Sequence, residues 1–185
     1  MYLIVGLGNP ESDYAGTRHN MGFDTINEIA KRYQINVNKK KFQAIYEIAT
    51  IENKKVILLK PQTYMNLSGD AIGEAMNFYK IEPQDVLVIY DDIDIEKGSI
   101  KVRKKGGPGS HNGMKSVVEN IGTTDFPRIR VGIGQPEHKN DMINYVIGAV
   151  PEEEKEVLAK GVNKAADAVQ EFLKNGIDAT MNKFN

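Results

Sequence analysis

The sequence predicts an α/β fold, one domain over residues 1–185 with a twisted mixed sheet lying between helices. Three observations lead there. Two short, wholly apolar runs, Leu3-Ile4-Val5 and Val86-Leu87-Val88-Ile89, read as strands buried on both faces. Stretches with apolar residues three or four apart fall between such runs, which is the period of a helix packed on a sheet. No internal repeat and no linker-like stretch divides the chain.

Taken in order, the first strand stops at Gly6-Leu7-Gly8-Asn9-Pro10, a loop no regular element continues through. A polar loop with Tyr14, Thr17, Arg18, His19 and Asn20 follows. A helix is then marked by Phe23, Ile26, Ile29, Ala30 and Tyr33. Residues 35–41 read as a basic connection. Residues 42–51 and 55–60 read as two strands around an Glu52-Asn53 turn. The second strand must end near Pro61, and Ile72, Ala75, Met76 and Tyr79 mark the next helix, with Ser68 or Asn66 as its cap. The strand at 86–90 runs into Asp91-Asp92-Ile93-Asp94. Residues 98–105 read as a strand with a wet basic face, 106–113 as a glycine-rich loop, 114–121 as a short helix and 126–134 as another strand. Residues 141–150 read as a mobile flap. From Pro151 an acidic first turn opens a long helix that stops at Asn175-Gly176.

Composition narrows the chemistry. The chain has no cysteine, which excludes disulfides, thiolate metal sites and a cysteine nucleophile. No signal peptide and no run of membrane-spanning length is present, so the expected location is the cytoplasm, with no membrane partner. The net charge is only −1, but its distribution is uneven. Lys97, Lys101, Arg103, Lys104, Lys105 and Lys115 lie in one stretch without an acidic residue, on an otherwise acidic chain. Such a stripe suits a phosphate backbone; it also suits an edge strand guarded by lysines.

Ligands of open α/β sheets sit beyond the carboxyl ends of strands. His19 follows the first strand, so an aspartate past a neighbouring strand could fix its tautomer and leave the other nitrogen as a base. Asp91, Asp92 and Asp94 all compete for that role, and spacing does not choose among them. Ser110-His111 suggests a nucleophile pair, but adjacent residues in a glycine loop rarely point at each other, and no G-x-S-x-G elbow exists. There is no H-E-x-x-H zinc motif, and no metal site or cofactor is expected. Asn9, Asn66 and Asn112 each end a strand or loop on one expected rim, where amides can donate to a developing oxyanion. Gly6 and Gly8 begin a dinucleotide fingerprint, but its third glycine is replaced by Glu11 and Pro10 interrupts the helix. The competing classes are an enzyme whose base activates water against a carbonyl, a noncatalytic RNA-binding module and a nucleotide-binding enzyme.

Five stretches, V-G-L-G-N-P-E-S-D-Y-A-G-T-R-H-N-M-G, K-P-Q-T-Y-M-N-L-S-G, Y-D-D-I-D-I-E-K-G, G-G-P-G-S-H-N-G-M-K-S and R-I-R-V-G-I-G, together resemble bacterial peptidyl-tRNA hydrolase, in that family's order. The resemblance implies a monomer, without metal or cofactor, that cleaves the ester joining a peptide to the terminal ribose of tRNA. It implies that His19 activates water, that Asp91 supports His19, and that Asn9 distinguishes N-blocked substrates. Tyr14, Tyr64, Asn66 and Asn112 match positions that contact the tRNA end or the peptide, and Met65 a position lining the groove. Lys101, Arg103 and Arg130 match basic positions that meet tRNA phosphate.

Overall fold

The computed structural model describes all of residues 1–185. Seven strands form one sheet: β1 (Tyr2–Gly6), β2 (Lys39–Lys41), β3 (Ala44–Ile51), β4 (Lys54–Pro61), β5 (Val86–Asp92), β6 (Ile100–Arg103) and β7 (Arg128–Gly132). Their order across the sheet is β2-β3-β4-β1-β5-β7-β6. The central four, β4, β1, β5 and β7, are parallel. β3 and β2 on one side, and β6 on the other, run antiparallel to their neighbours. The sheet is therefore mixed, as its sequence predicts. All four parallel strands point their carboxyl ends to the same rim.

Six helices cover it: α1 (Met21–Arg32), α2 (Ser68–Tyr79), α3 (Asn112–Ile121), α4 (Met142–Ile147), α5 (Glu152–Asn175) and α6 (Ile177–Phe184). Alternation along each strand feeds two cores. Ile4, Leu58, Leu87, Ile89, Ile129 and Val131 pack with α1 and α5. Leu3, Val5, Ile57, Leu59, Val88 and Tyr90 pack with α2 and α3. Apolar residues on both sides of β1 and β5 are what such a three-layer arrangement requires.

Several boundaries differ from the sequence expectation. Lys39–Lys41 is not a connection but an exposed edge strand, formed because β3 offers it a ladder. Lysines at such an edge oppose pairing with another chain. Strand β3 starts at Ala44 because Phe42 and Gln43 form a two-residue turn, both at positive φ (58° and 53°). The turn at Glu52-Asn53 is present, also at positive φ. Neither Ser68 nor Asn66 caps α2; the Ser68 hydroxyl instead donates to the Met65 carbonyl at 2.7 Å. The chain stops α5 at Gly176 (φ 87°) and then starts α6, which sequence reasoning did not anticipate. The other edge, β6, is closed by one side chain: the Asn185 amide accepts from Val102 N–H and donates to its carbonyl, both at 2.8 Å. No helix is long and apolar enough to cross a membrane.

Candidate active site

The site begins with register. β1 ends at Gly6, opposite Ile89, so β5 runs beyond it and carries Asp91 past the end of β1. The returning chain can sit close over that end only where side chains are missing. A β-carbon on Gly6 would lie 2.1 Å from the Gly22 carbonyl oxygen, and one on Gly22 would lie 2.4 Å from Leu7 N. These two glycines let α1 press on the sheet, which brings the short 3-10 turn Arg18–Asn20 over Asp91. Gly6 and Gly8 are accounted for by this packing, since a β-carbon on Gly8 would strike the Phe23 ring. The nucleotide-cradle reading loses its residues to that role.

Asp91 is 3% exposed and ionised. Burial pushes its carboxyl up, but the His111 and His19 rings beside it outweigh that and hold it well below the usual carboxylate range. His19 Nδ1 lies 3.0 and 2.9 Å from the two carboxylate oxygens, and His111 Nε2 lies 3.0 Å from Oδ1. Asp92 is occupied elsewhere, accepting from Arg130 Nε at 2.7 Å, and Asp94 accepts from Gln135 at the surface. Of the three aspartates open on sequence grounds, geometry brings Asp91 to His19.

The two rings are not equivalent. The Met114 backbone N–H donates to His111 Nδ1 at 3.2 Å, so that nitrogen is an acceptor and the proton sits on Nε2, which donates to Asp91. Both nitrogens of His111 are thereby occupied, one capping α3 and one holding Asp91. An ionised carboxylate only accepts, so His19 Nδ1 carries the other proton. Its Nε2 keeps a free lone pair. Burial lowers the basicity of His19, and Asp91 raises it; the balance leaves its pKa above the ordinary imidazole value. His19, Asp91 and His111 are also the three side chains grouped closely enough to hold a metal ion. Their hydrogen bonds already satisfy them as a proton-sharing set.

A cleft of about 490 Å³ opens beside this group. The glycine-rich loop 106–112 forms one side and Met142, Ile143 and Val146 of α4 another. Arg103, Lys105, Arg128 and Arg130 line it together with Asp91, Asp92 and Asp94, and Arg130 is paired with Asp92. Arg128 is buried, and its guanidinium donates to the carbonyls of Thr124 (2.7 Å) and Gly107 (3.4 Å), so it holds the glycine loop in place. Of the basic stripe, Lys97 and Lys104 are paired with Glu154 and Asp178. Lys101 shares a strand face with Arg103 but lines a second, smaller cavity of about 380 Å³.

The asparagines do not all meet in the cleft. Asn112 lines it, whereas Asn9 and Asn66 do not. Both follow parallel strands, β1 and β4, and so stand on the same carboxyl rim. The Asn9 loop is fixed by Asn20, whose Oδ1 accepts from Asn9 N–H at 2.6 Å and whose Nδ2 donates to its carbonyl. Tyr14 is half-buried in the Ser12–Tyr14 turn; Tyr64 and Asn66 are exposed and Met65 is buried. Met65 reaches the site from below, its Sδ within 2.6 Å of where a Gly113 β-carbon would be, with His111 Cε1 at 3.0 Å from the same point. Sequence reasoning gave no working role to three groups: His111, Asn20 and Arg128. The signal for His111 was present, since a histidine directly before a helix can cap it.

A sequence profile described as peptidyl-tRNA hydrolase matches residues 3–185. This chain belongs to the peptidyl-tRNA hydrolase family. It is 51% identical over all its 185 residues to the peptidyl-tRNA hydrolase of Clostridium botulinum (strain Eklund 17B / Type B), covering 96% of that protein. It is 50% identical to that of Alkaliphilus metalliredigens, with each chain covered in full. Its fold matches the crystal structure of peptidyl-tRNA hydrolase from Acinetobacter baumannii with a TM-score of 0.94, at 37% identity, covering all of this chain and 94% of that one.

Proposed function

We propose that this chain hydrolyses the ester between the peptide and the terminal ribose of tRNA, with His19 as general base and Asp91 as the group that orients it. The observation that carries this reading is the free Nε2 of His19, the one imidazole nitrogen of the pair without a partner. Nε2 takes a proton from water as the oxygen attacks the ester carbonyl, and Asp91 stabilises the imidazolium that forms. The carbonyl oxygen becomes an oxyanion, and collapse of the tetrahedral intermediate expels the ribose oxygen. His19 returns its proton to that leaving oxygen. An ester leaving group is good enough that no covalent nucleophile is needed.

Asn112, in the cleft, acts as a donor to the oxyanion, and Asn9 and Asn66, on the same rim, contact the peptide, with Asn9 distinguishing N-blocked substrates. Tyr14, Tyr64 and Met65 contact the tRNA end and the peptide; the 67% exposure of Tyr64 leaves an aromatic face open for stacking. Lys101, Arg103 and Arg130 meet phosphates, which lets a mildly acidic protein hold tRNA. The reading needs no cofactor, metal or second subunit, and a cytoplasmic monomer suffices. Incubation with N-acetyl-aminoacyl-tRNA tests it: free tRNA appears with the wild-type chain and not with His19→Ala. A chain that binds the substrate and releases none is a binding module, and the proposal is wrong.

A further inference from the structure

Arg18, next to the proposed base, is buried at 5% exposure and is not among the residues lining the cleft. Its Nη2 donates to Glu154 Oε2 at 2.7 Å on the first turn of α5. Its Nη1 donates to the Tyr145 carbonyl at 2.8 Å on α4, and its guanidinium lies 3.9 Å from the centroid of the Tyr145 ring. Tyr145 in turn donates through its hydroxyl to the Ile133 carbonyl beyond β7. Glu154 also receives Lys97 at 2.8 Å, from the segment that links β5 to β6. A backbone bridge between Thr17 and Ala149 closes the same seam.

Three elements therefore meet at one guanidinium, the turn that carries His19, the helix that walls the cleft and the start of α5, and Glu154 ties in a fourth, the segment after β5. A hydrophobic residue of similar length could fill the space. It could not bind a carboxylate and a carbonyl at once in a fixed fork.

We infer that Arg18 is a positioning residue for the reaction, a strut that sets the His19 turn and the α4 wall of the cleft at fixed spacing. It touches neither water nor ester; it acts through the backbone of its neighbour and through α4. This rests on the reading of His19 as the base. Small displacements matter there, because the His19 to Asp91 contact fixes both the direction and the basicity of Nε2. The charged and titratable groups around the pair are Asp91 and His111 at His19, and Glu154, Lys97 and Tyr145 at Arg18.

The test compares Arg18→Lys, Arg18→Met and the double variant Arg18→Met/Glu154→Leu with wild type and His19→Ala, using N-acetyl-aminoacyl-tRNA. Arg18→Met alone leaves the half-buried Glu154 carboxylate with Lys97 as its one cationic partner and lowers the melting temperature, whatever else Arg18 does. The double variant removes that charge; Lys97, a third exposed, can turn to water. If Arg18 is a strut, the double variant melts near wild type, yet its kcat/KM is down on the order of tenfold to a hundredfold. Its acid limb lies at lower pH, because a slipped turn loosens His19 from Asp91 while leaving it buried. Arg18→Lys, with the charge but not the fork, falls between. If the double variant recovers both stability and kcat/KM with an unmoved acid limb, Arg18 only neutralises Glu154 and the inference is wrong. Failure of the base reading looks different: His19→Ala would then be as active as wild type.

Discussion

His19 and His111 approach one carboxylate from opposite layers of the molecule, one from the turn before α1 and one from the loop before α3. Their distances to Asp91 are equal within a tenth of an ångström. What separates them is the second nitrogen of each ring. His111 gives that nitrogen to the first turn of α3 and becomes part of the scaffold, while His19 leaves it facing the cleft. Side chains of the same type, at the same distance from the same partner, thus take different work according to what lies behind them.

The largest effect that can break this comparison is removal of His19. His19→Ala should lower kcat by between about 10² and 10⁴, the span of general-base contributions, with tRNA affinity nearly unchanged. Comparable loss from His111→Ala would show the rings to be equivalent. Next comes Asp91→Asn, which puts an amide against His19 Nδ1 and favours the tautomer with its proton on Nε2. A loss on the order of 10² in kcat is expected, with KM little changed.

A weaker effect is expected outside the pair. Arg103→Glu, on the basic side of the cleft, should raise KM more than it lowers kcat and reduce the salt slope of tRNA binding by about 1. Smallest are the His111 variants. His111→Asn can still cap α3 but loses Asp91, so turnover should fall only severalfold, about 1 kcal/mol in the barrier. His111→Ala loses the cap as well, and a denaturant titration should show it less stable than His111→Asn by about 1 kcal/mol.

The pH dependence sharpens the same contrast. With His19 as the proposed base, activity requires its neutral form, so kcat/KM should rise with pH through a value above the ordinary imidazole pKa of about 6.5. In Asp91→Asn that limb should move down, because burial then acts on His19 without its counter-charge. Stability follows with two signs. The depressed Asp91 contributes above about pH 3.9, and this is lost as pH falls toward its native value. The raised His19 contributes below about pH 6.5, and this is lost as pH rises through its native value. Denaturation midpoints of wild type and Asp91→Asn across pH 3 to 8 measure both.

Where the chain is governed by burial, its sequence was readable. The runs in β1 and β5 and the stripes of α1 and α5 state their own partners, because apolar period and sheet geometry are the same fact. Lys39–Lys41 was not readable, since nothing in three lysines favours a strand until β3 supplies the ladder. The Phe42-Gln43 turn was hidden for a similar reason: it holds positive φ without glycine, under the compulsion of its two strands. In the site, position after a buried strand was enough to single out His19 and the aspartates. The choice of Asp91 depended on β5 outrunning β1, which is a matter of register. His111 was set aside because Ser110 was the wrong partner to consider; the right one lies twenty residues earlier. The family motifs contain Asn9, Asn66 and Asn20, but the resemblance gives a role only to the first two, and not to the Asn20 amide that holds Asn9 in shape.

The amide of Asn185 has a consequence for behaviour at high concentration. At β6 it occupies a backbone donor and acceptor that would otherwise be open to a strand from another molecule. The opposite border of the sheet repels intruders with lysines, of which Lys39 is paired with Glu47 while Lys40 and Lys41 make no ion pair, a defence that weakens as salt is added. The amide is a plug and does not depend on ionic strength, so crowding in concentrated salt should expose the lysine border first.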